Sequence, residues 1–156
     1  MNEDEPTCAS TNRANPAMVE RVTVLLVEDD DVDAERVIRA FHKTGIPHPV
    51  RRARDGIEAL EILRGETEEP LERPYIILLD LKMPRMGGFQ FLGCLREDPA
   101  LADSVVFVLT TSRNESDRFR AYLQNVAGYI VKSRTSGDFV DVASMLEWYW
   151  RVVDLP

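Results

Sequence analysis

Four apolar runs in the sequence each end on a residue that could take part in chemistry. Glu28 and Asp29 follow VTVLLV, Asp80 follows YIILL, Thr110 follows SVVFVL, and Lys132 follows GYIV. Carboxylates that lie close together repel one another unless a cation lies among them, and oxygen ligands suit a hard ion such as Mg²⁺. An aspartate in such a site is a suitable nucleophile for phosphoryl transfer, and a lysine and a hydroxyl suit the incoming oxygens.

The loop after Asp80 is stiff at its start and permissive at its end. Pro84 restricts the backbone, whereas Gly87 and Gly88 allow conformations that other residues disfavour. We predict that this loop presents the Asp80 carboxylate and that a main-chain carbonyl just after Asp80 completes the set of oxygen ligands.

The elements that would position these residues can be read from alternating patterns. Candidate strands cover residues 22–27, 49–53, 75–79, 104–109 and 128–131, and segments of helical period lie between them. Strands that alternate with helices imply βαβ units with right-handed crossovers. The pattern predicts an α/β fold: a single domain with one five-stranded, doubly wound parallel sheet and five helices.

Two finer predictions concern the first helix and a histidine in the loop that follows it. Val32, Val37, Ile38 and Phe41 are predicted to share one face of the first helix, and His48 is predicted to lie at the surface.

In a doubly wound sheet, ligands bind beyond the carboxyl ends of the strands, where the strand order reverses. The acids, the hydroxyl and the amine are therefore predicted to converge on one edge. A lone acid after a strand is more often a helix cap, and Asp29 to Asp31 could simply begin the first helix. Because four strand ends agree on one chemistry, a shared site is favoured.

The composition excludes several classes of function. The 156 residues carry a net charge of −8, which disfavours binding to nucleic acid, and no apolar run approaches the ~20 residues of a membrane span. Cys8 and Cys94 form no disulfide framework, which favours a reducing cytoplasm. Residues 1–19 are polar and contain two prolines, and they are predicted to form a disordered tail before a folded domain at 20–156.

The motifs LLVEDDD, LLDLKMPRMGG, VLTTS and GYIVK together resemble the receiver domain of two-component response regulators, over about residues 20 to 153. The resemblance implies the strand order 2-1-3-4-5 and a role for each matching residue. Asp80 resembles the phosphoacceptor, and Glu28 and Asp29 resemble the acidic pair that binds Mg²⁺ together with Asp80 and the Lys82 carbonyl. Thr110 resembles the switch hydroxyl and Tyr129 resembles the aromatic switch residue. Lys132 resembles the active-site lysine of the family.

The family mechanism follows by resemblance. A sensor histidine kinase would donate a phosphoryl group to Asp80, Thr110 would move inward, and Tyr129 would follow. The protein would then be a signalling phosphoacceptor that catalyses only its own phosphorylation and dephosphorylation. The ending WYWRVVDLP and the long loop before the third strand are similar to single-domain regulators of bacterial phytochromes, which implies a light-sensing kinase and no output domain.

The sequence departs from the family pattern beside the active-site lysine. Ser133 follows Lys132, where the family usually has a cis-bonded proline, so the geometry of this loop is left open. This departure keeps a second interpretation alive, in which the chain is a phosphorylation-independent pseudo-receiver that acts as a protein-binding module. A phosphohydrolase of the haloacid dehalogenase type is disfavoured, because it needs a second acid where Lys82 stands.

The last helix has a second apolar stripe in addition to its core-facing side. Met145, Trp148 and Val152 lie on this stripe, where a soluble monomer would normally place polar residues. We predict that the stripe forms a homodimer interface, since tryptophan is enriched in binding hot spots. The alternative is that Trp148 packs under the tail of its own chain or against the fourth helix.

Overall fold

The computed structural model describes residues 21–45 and 48–156, and in these ranges strands and helices alternate as predicted. The strands are β1 (Thr23–Val27), β2 (Val50–Ala53), β3 (Tyr75–Leu79), β4 (Val106–Thr110) and β5 (Gly128–Val131). The helices are α1 (Asp31–Lys43), α2 (Gly56–Leu63), α3 (Gly88–Glu97), α4 (Glu115–Leu123) and α5 (Val140–Val152), with a 3₁₀ turn at Lys132–Arg134. The predicted tail, residues 1–19, lies outside the described residues.

The five strands form one parallel sheet in the order β2-β1-β3-β4-β5, which confirms the predicted fold class. The central strands β3 and β4 are buried along their whole length, whereas most residues of the edge strands β2 and β5 are only partly buried. The register pairs Val27 with Leu79, so that Glu28 and Asp80 leave neighbouring strands at the same level. The sheet therefore places the first and third strand ends side by side.

Each face of the sheet is covered by an apolar layer. Helices α2 and α3 pack on one face around Leu79 and Phe91, and α1 and α5 pack on the other around Leu26 and Leu146. In the part of the chain that the structure describes, no helix is long and apolar enough to cross a membrane.

Two predictions about burial were wrong. Val32 is exposed, because it lies about 140° around the helix axis from buried Val37 at the 100° that each residue turns. His48 is buried instead of exposed, and its ring lies 4.5 Å from that of Trp150 in an edge-on arrangement. The sequence around His48 gives no sign of this partner, which lies on α5.

Side-chain caps define where three of the helices begin. Asp30 accepts a hydrogen bond from the Asp33 amide at 2.8 Å, Asp55 from the Glu58 amide at 3.0 Å, and Asn114 from the Ser116 amide at 2.9 Å. Caps of this kind contribute about 1 kcal/mol each. The helix-cap alternative considered for the acids after β1 is thus confirmed for one of them, Asp30.

The β3–α3 loop returns so closely that α3 begins against the backbone of Asp80. A Cβ atom on Gly88 would lie 2.7 Å from both the Asp80 carbonyl oxygen and Leu81 Cα. Arg85, which has a positive φ of 59°, donates from Nε to Asp55 Oδ2 at 2.6 Å and ties the loop to the start of α2. The glycine is therefore required by close packing next to the phosphoacceptor candidate.

We expect Gly88→Ala to lower the free energy of unfolding by about 2 kcal/mol, because the added methyl group meets rigid backbone. The matched control is Gly93→Ala in the same helix, where a Cβ atom would meet nothing within 4 Å. There the better helix propensity of alanine should raise stability by about 0.8 kcal/mol. Urea denaturation of both variants measures the difference, and equal effects of the same sign would contradict the packing account.

Candidate functional site

Three carboxylates meet at the carboxyl edge of the sheet, as predicted. Glu28, Asp29 and Asp80, which we call the acid cluster, each offer an oxygen, and these oxygens all lie within 4.8 Å of one another. Glu28 is 2% exposed and Asp80 is 7% exposed, whereas Asp29 faces solvent. Asp29 is thus the solvent-exposed member of the cluster.

Lys132 brings the compensating positive charge from β5. Its Nζ lies 2.9 Å from Glu28 Oε2, 2.8 Å from Asp33 Oδ2 and 3.5 Å from Asp80 Oδ2. Burial alone would lower the pKa of the lysine, but the hydrogen bonds to Asp33 and Glu28 outweigh it and raise the pKa. Lys132 therefore remains a cation among the acids.

One lysine does not neutralise the acids around it. Burial, and then the neighbouring charge of Asp80, raise the pKa of Glu28 to about 7 against the opposing effect of Lys132. An excess of oxygen donors with unbalanced negative charge is the chemistry that a hard divalent cation prefers. The residues present fit such an ion.

Sequence reasoning missed Asp33, which holds the lysine as closely as Glu28 does. Asp33 lies in the first turn of α1, four residues after Asp29, and its side chain returns to the same edge of the sheet. The contact itself spans 99 residues of sequence.

Thr110 and Tyr129 lie at the same edge and are connected through Ser112. Thr110 is fully buried and pairs with Val131, directly before Lys132. The Ser112 amide donates to Thr110 Oγ1 at 3.3 Å, and the Tyr129 hydroxyl donates to the Ser112 carbonyl at 3.0 Å. The two predicted switch residues therefore share one loop residue as a partner.

Ser133, the main departure from the receiver pattern, takes part in a contact between loops. Its hydroxyl oxygen accepts hydrogen bonds from Arg113 Nε at 3.1 Å and Arg113 Nη2 at 2.6 Å. Thr135 closes the turn by donating from Oγ1 to the Lys132 carbonyl at 2.6 Å. The β4–α4 and β5–α5 loops are thus joined beside Lys132 without proline.

Lys82 lies at the exposed side of the loop after Asp80. Its amide donates to Asp80 Oδ1 over a long distance of 3.5 Å, and its side chain points into solvent. The assignment of its carbonyl as a metal ligand stays a prediction.

The apolar stripe on α5 is exposed. Trp148 is 64% exposed and Val152 is 76% exposed, and Met145 is exposed to a smaller extent, 37%. The Arg151 guanidinium lies 5.7 Å from the centre of the Trp148 ring. The alternative that Trp148 is buried under its own tail or against α4 is therefore wrong.

Comparisons with known proteins agree with this architecture. The family model of the response regulator receiver domain matches residues 24–144. Response regulator Rcp1 of Synechocystis sp. is 35% identical over 148 residues, which cover 94% of this chain and 98% of Rcp1.

Two solved structures are similar in both sequence and fold. The phosphorylated cyanobacterial phytochrome response regulator RcpA is 36% identical with a TM-score of 0.79, covering 88% of this chain and 99% of RcpA. The Mn²⁺-bound form of Rcp1 is 36% identical with a TM-score of 0.75, covering 86% of this chain and 98% of that chain. The chain therefore belongs to the family of response regulator receiver domains, the signalling domains of two-component systems.

Proposed function

We propose that this protein accepts a phosphoryl group on Asp80 from the phosphohistidine of a sensor histidine kinase. The observation that carries the proposal is the buried Asp80 carboxylate with Lys132 at 3.5 Å and two further acids beside it. A carboxylate that is to receive a charged group needs both a nearby cation and an open approach.

The residues of the site divide the chemistry among themselves. An Asp80 oxygen attacks the phosphorus, the bond from phosphorus to the histidine nitrogen breaks, and the electron pair of that bond stays on the imidazole. Lys132 and the Thr110 hydroxyl bind the phosphoryl oxygens, Lys132 as a point charge and Thr110 by a hydrogen bond. In this role the chain is not an enzyme for other substrates and catalyses only its own phosphorylation and dephosphorylation.

We assign a divalent ion, Mg²⁺, to the acid cluster, with Glu28, Asp29, Asp80 and the Lys82 carbonyl as its ligands. When bound, the ion neutralises the charge of the phosphoryl group and of the acids that face it. The Mn²⁺-bound form of the relative Rcp1 supports a divalent ion in general.

The output of phosphorylation passes through Thr110 and Tyr129 in this proposal. When Thr110 turns toward the phosphoryl group, the bond from the Ser112 amide to its hydroxyl is lost, and the loop residue that also holds Tyr129 is released. Tyr129 can then move inward and change the surface formed by α4, β5 and α5. The negative charge of the phosphoryl group thus shifts Thr110 and Tyr129 from one of two arrangements to the other.

We further propose that the donor is a light-sensing kinase of the phytochrome type, acting in the cytoplasm. The likeness to RcpA, a phytochrome response regulator by its own description, supports this kinase class. Neither nucleic acid nor a membrane is a partner in the proposal, because the net charge of −8 disfavours phosphate backbones and anionic lipid surfaces.

Incubation with acetyl phosphate and Mg²⁺ tests the acceptor directly. We expect wild type to gain the mass of one phosphoryl group by intact mass spectrometry, and Asp80→Asn to gain none. Asp30→Asn is the matched control, because asparagine caps a helix as well as aspartate and should leave the adduct unchanged. An adduct of equal yield in Asp80→Asn would place the phosphoryl group on another residue, and no adduct in either protein would favour the pseudo-receiver.

The proposed ion should also stabilise the fold. At ten times its Kd, Mg²⁺ is expected to raise the free energy of unfolding by about 1.4 kcal/mol, since it binds only the folded chain. Urea denaturation with and without Mg²⁺ measures this effect. The same rise in Asp29→Asn, whose exposed side chain can be changed without disturbing the core, would show that the ion acts elsewhere.

We propose that Met145, Trp148 and Val152 form a homodimer interface on α5. Trp148→Glu should raise the dimer dissociation constant at least about tenfold in sedimentation equilibrium, because a charge would replace a hot-spot side chain. Val32→Glu is the control, since Val32 is a comparably exposed apolar residue on α1. A monomeric wild type, or equal weakening by both changes, would contradict this interface.

A further inference from the structure

Arg52, in the middle of an edge strand, contacts the metal-binding loop with three of its nitrogens. Its Nε donates to the Glu28 carbonyl at 3.0 Å, Nη2 donates to the Asp29 carbonyl at 3.1 Å, and Nη1 lies 2.7 Å from Asp31 Oδ1. One guanidinium thus binds three of the four residues from Glu28 to Asp31, and two of these three belong to the acid cluster.

The surroundings favour a fixed geometry for this contact. The Arg52 side chain is only 19% exposed, and the next residue along β2, Ala53, accepts a hydrogen bond from the Glu28 amide at 3.0 Å. The Glu28 peptide is therefore held on both its amide and its carbonyl by neighbouring residues of β2. Guanidinium bonds are charge-assisted, and the planar fork loses little freedom when it forms several of them.

The charge of Arg52 would by itself work against a bound cation. Asp31 compensates for this charge, because its carboxylate lies 2.7 Å from Arg52 Nη1, and the same carboxylate lies 3.5 Å from Arg54 Nη1. The pair directs the guanidinium toward the loop carbonyls and leaves the Glu28 and Asp29 carboxylates to face the cluster. Loss of the positive charge of Arg52 alone would strengthen the binding of a cation. Loss of its hydrogen bonds to the loop carbonyls would instead weaken that binding, so the two effects of removing Arg52 are opposite.

We propose that Arg52 is a positioning residue for the divalent-ion site: it fixes the peptides of Glu28 and Asp29 so that their carboxylates meet that of Asp80. The inference rests on the metal site proposed above and adds the residue that sets its geometry. Arg52 contacts neither the phosphoryl group nor the ion. Its effect passes through the backbone of two ligands, as groups that orient metal ligands do in other sites.

Mn²⁺ alone is the probe, followed as free ion by electron paramagnetic resonance in a titration of the full chain. Arg52→Lys keeps the positive charge but replaces the three guanidinium nitrogens with a single amine. Arg52→Met removes both the charge and the hydrogen-bond donors. Arg51→Met is the matched control: Arg51 is the neighbour on β2, it is also partly buried, and it binds Thr67 and the Glu69 carbonyl instead. Circular dichroism confirms that each variant is folded at the temperature of the titration.

We expect both Arg52 variants to bind Mn²⁺ about tenfold more weakly than wild type, and Arg51→Met to bind as wild type does. If Arg52→Met does not fold, the comparison of Arg52→Lys with wild type decides. Affinity within twofold of wild type in either folded variant, or tighter binding in Arg52→Met, would overturn the inference.

The outcome separates this inference from the function on which it rests. Wild type that binds Mn²⁺ and gains a phosphoryl group, with unchanged affinity in the Arg52 variants, overturns only the role of Arg52. Wild type that binds no Mn²⁺ overturns the metal site and the positioning role together.

Discussion

The buried amine of Lys132 is the constraint on which the rest of the structure depends. It lies between Glu28 and Asp33 at hydrogen-bonding distance, with Asp80 slightly farther away, so that carboxylates from three different segments need the same cation. A buried carboxylate without a cation is strongly unfavourable. The strand order places β1 next to β3 and leaves only β4 between β3 and β5. A lysine at the end of β5 can therefore reach the acids at the ends of β1 and β3. Because three carboxylates surround one lysine, negative charge remains that a divalent cation can neutralise.

Much of this arrangement could be predicted because it is local or periodic. Buried parallel strands appear as apolar runs in the sequence. Each of the four apolar runs is followed directly by a residue of the site, the first by Glu28 and the last by Lys132. The boundaries of β3 and β5 match the predictions, and the other strands differ by one or two residues. The rule that ligands bind at the carboxyl ends of a doubly wound sheet then brings these ends together.

What could not be predicted depends on contacts between distant segments. Asp33 looks like an ordinary acid in a first helical turn until Lys132 is placed beside it. Arg52 lies within an edge strand and belongs to no local motif, and the Ser133 hydroxyl accepts its hydrogen bonds from Arg113 in another loop. His48 likewise is buried and packs against the ring of Trp150, which lies on α5. Each of these residues acquires its role from a partner that neither spacing nor composition indicates.

The most direct test of the account is the chemical identity of the phosphorylated residue. An acyl phosphate is reduced by borohydride to an alcohol, so that a phosphorylated aspartate becomes homoserine, which peptide sequencing by mass spectrometry can locate. After incubation with acetyl phosphate and Mg²⁺, the account predicts homoserine at position 80 and at no other acid. Homoserine at Asp29 or Asp33, or a phosphoryl group that survives borohydride on a hydroxyl, would contradict the assignment of Asp80 as the acceptor.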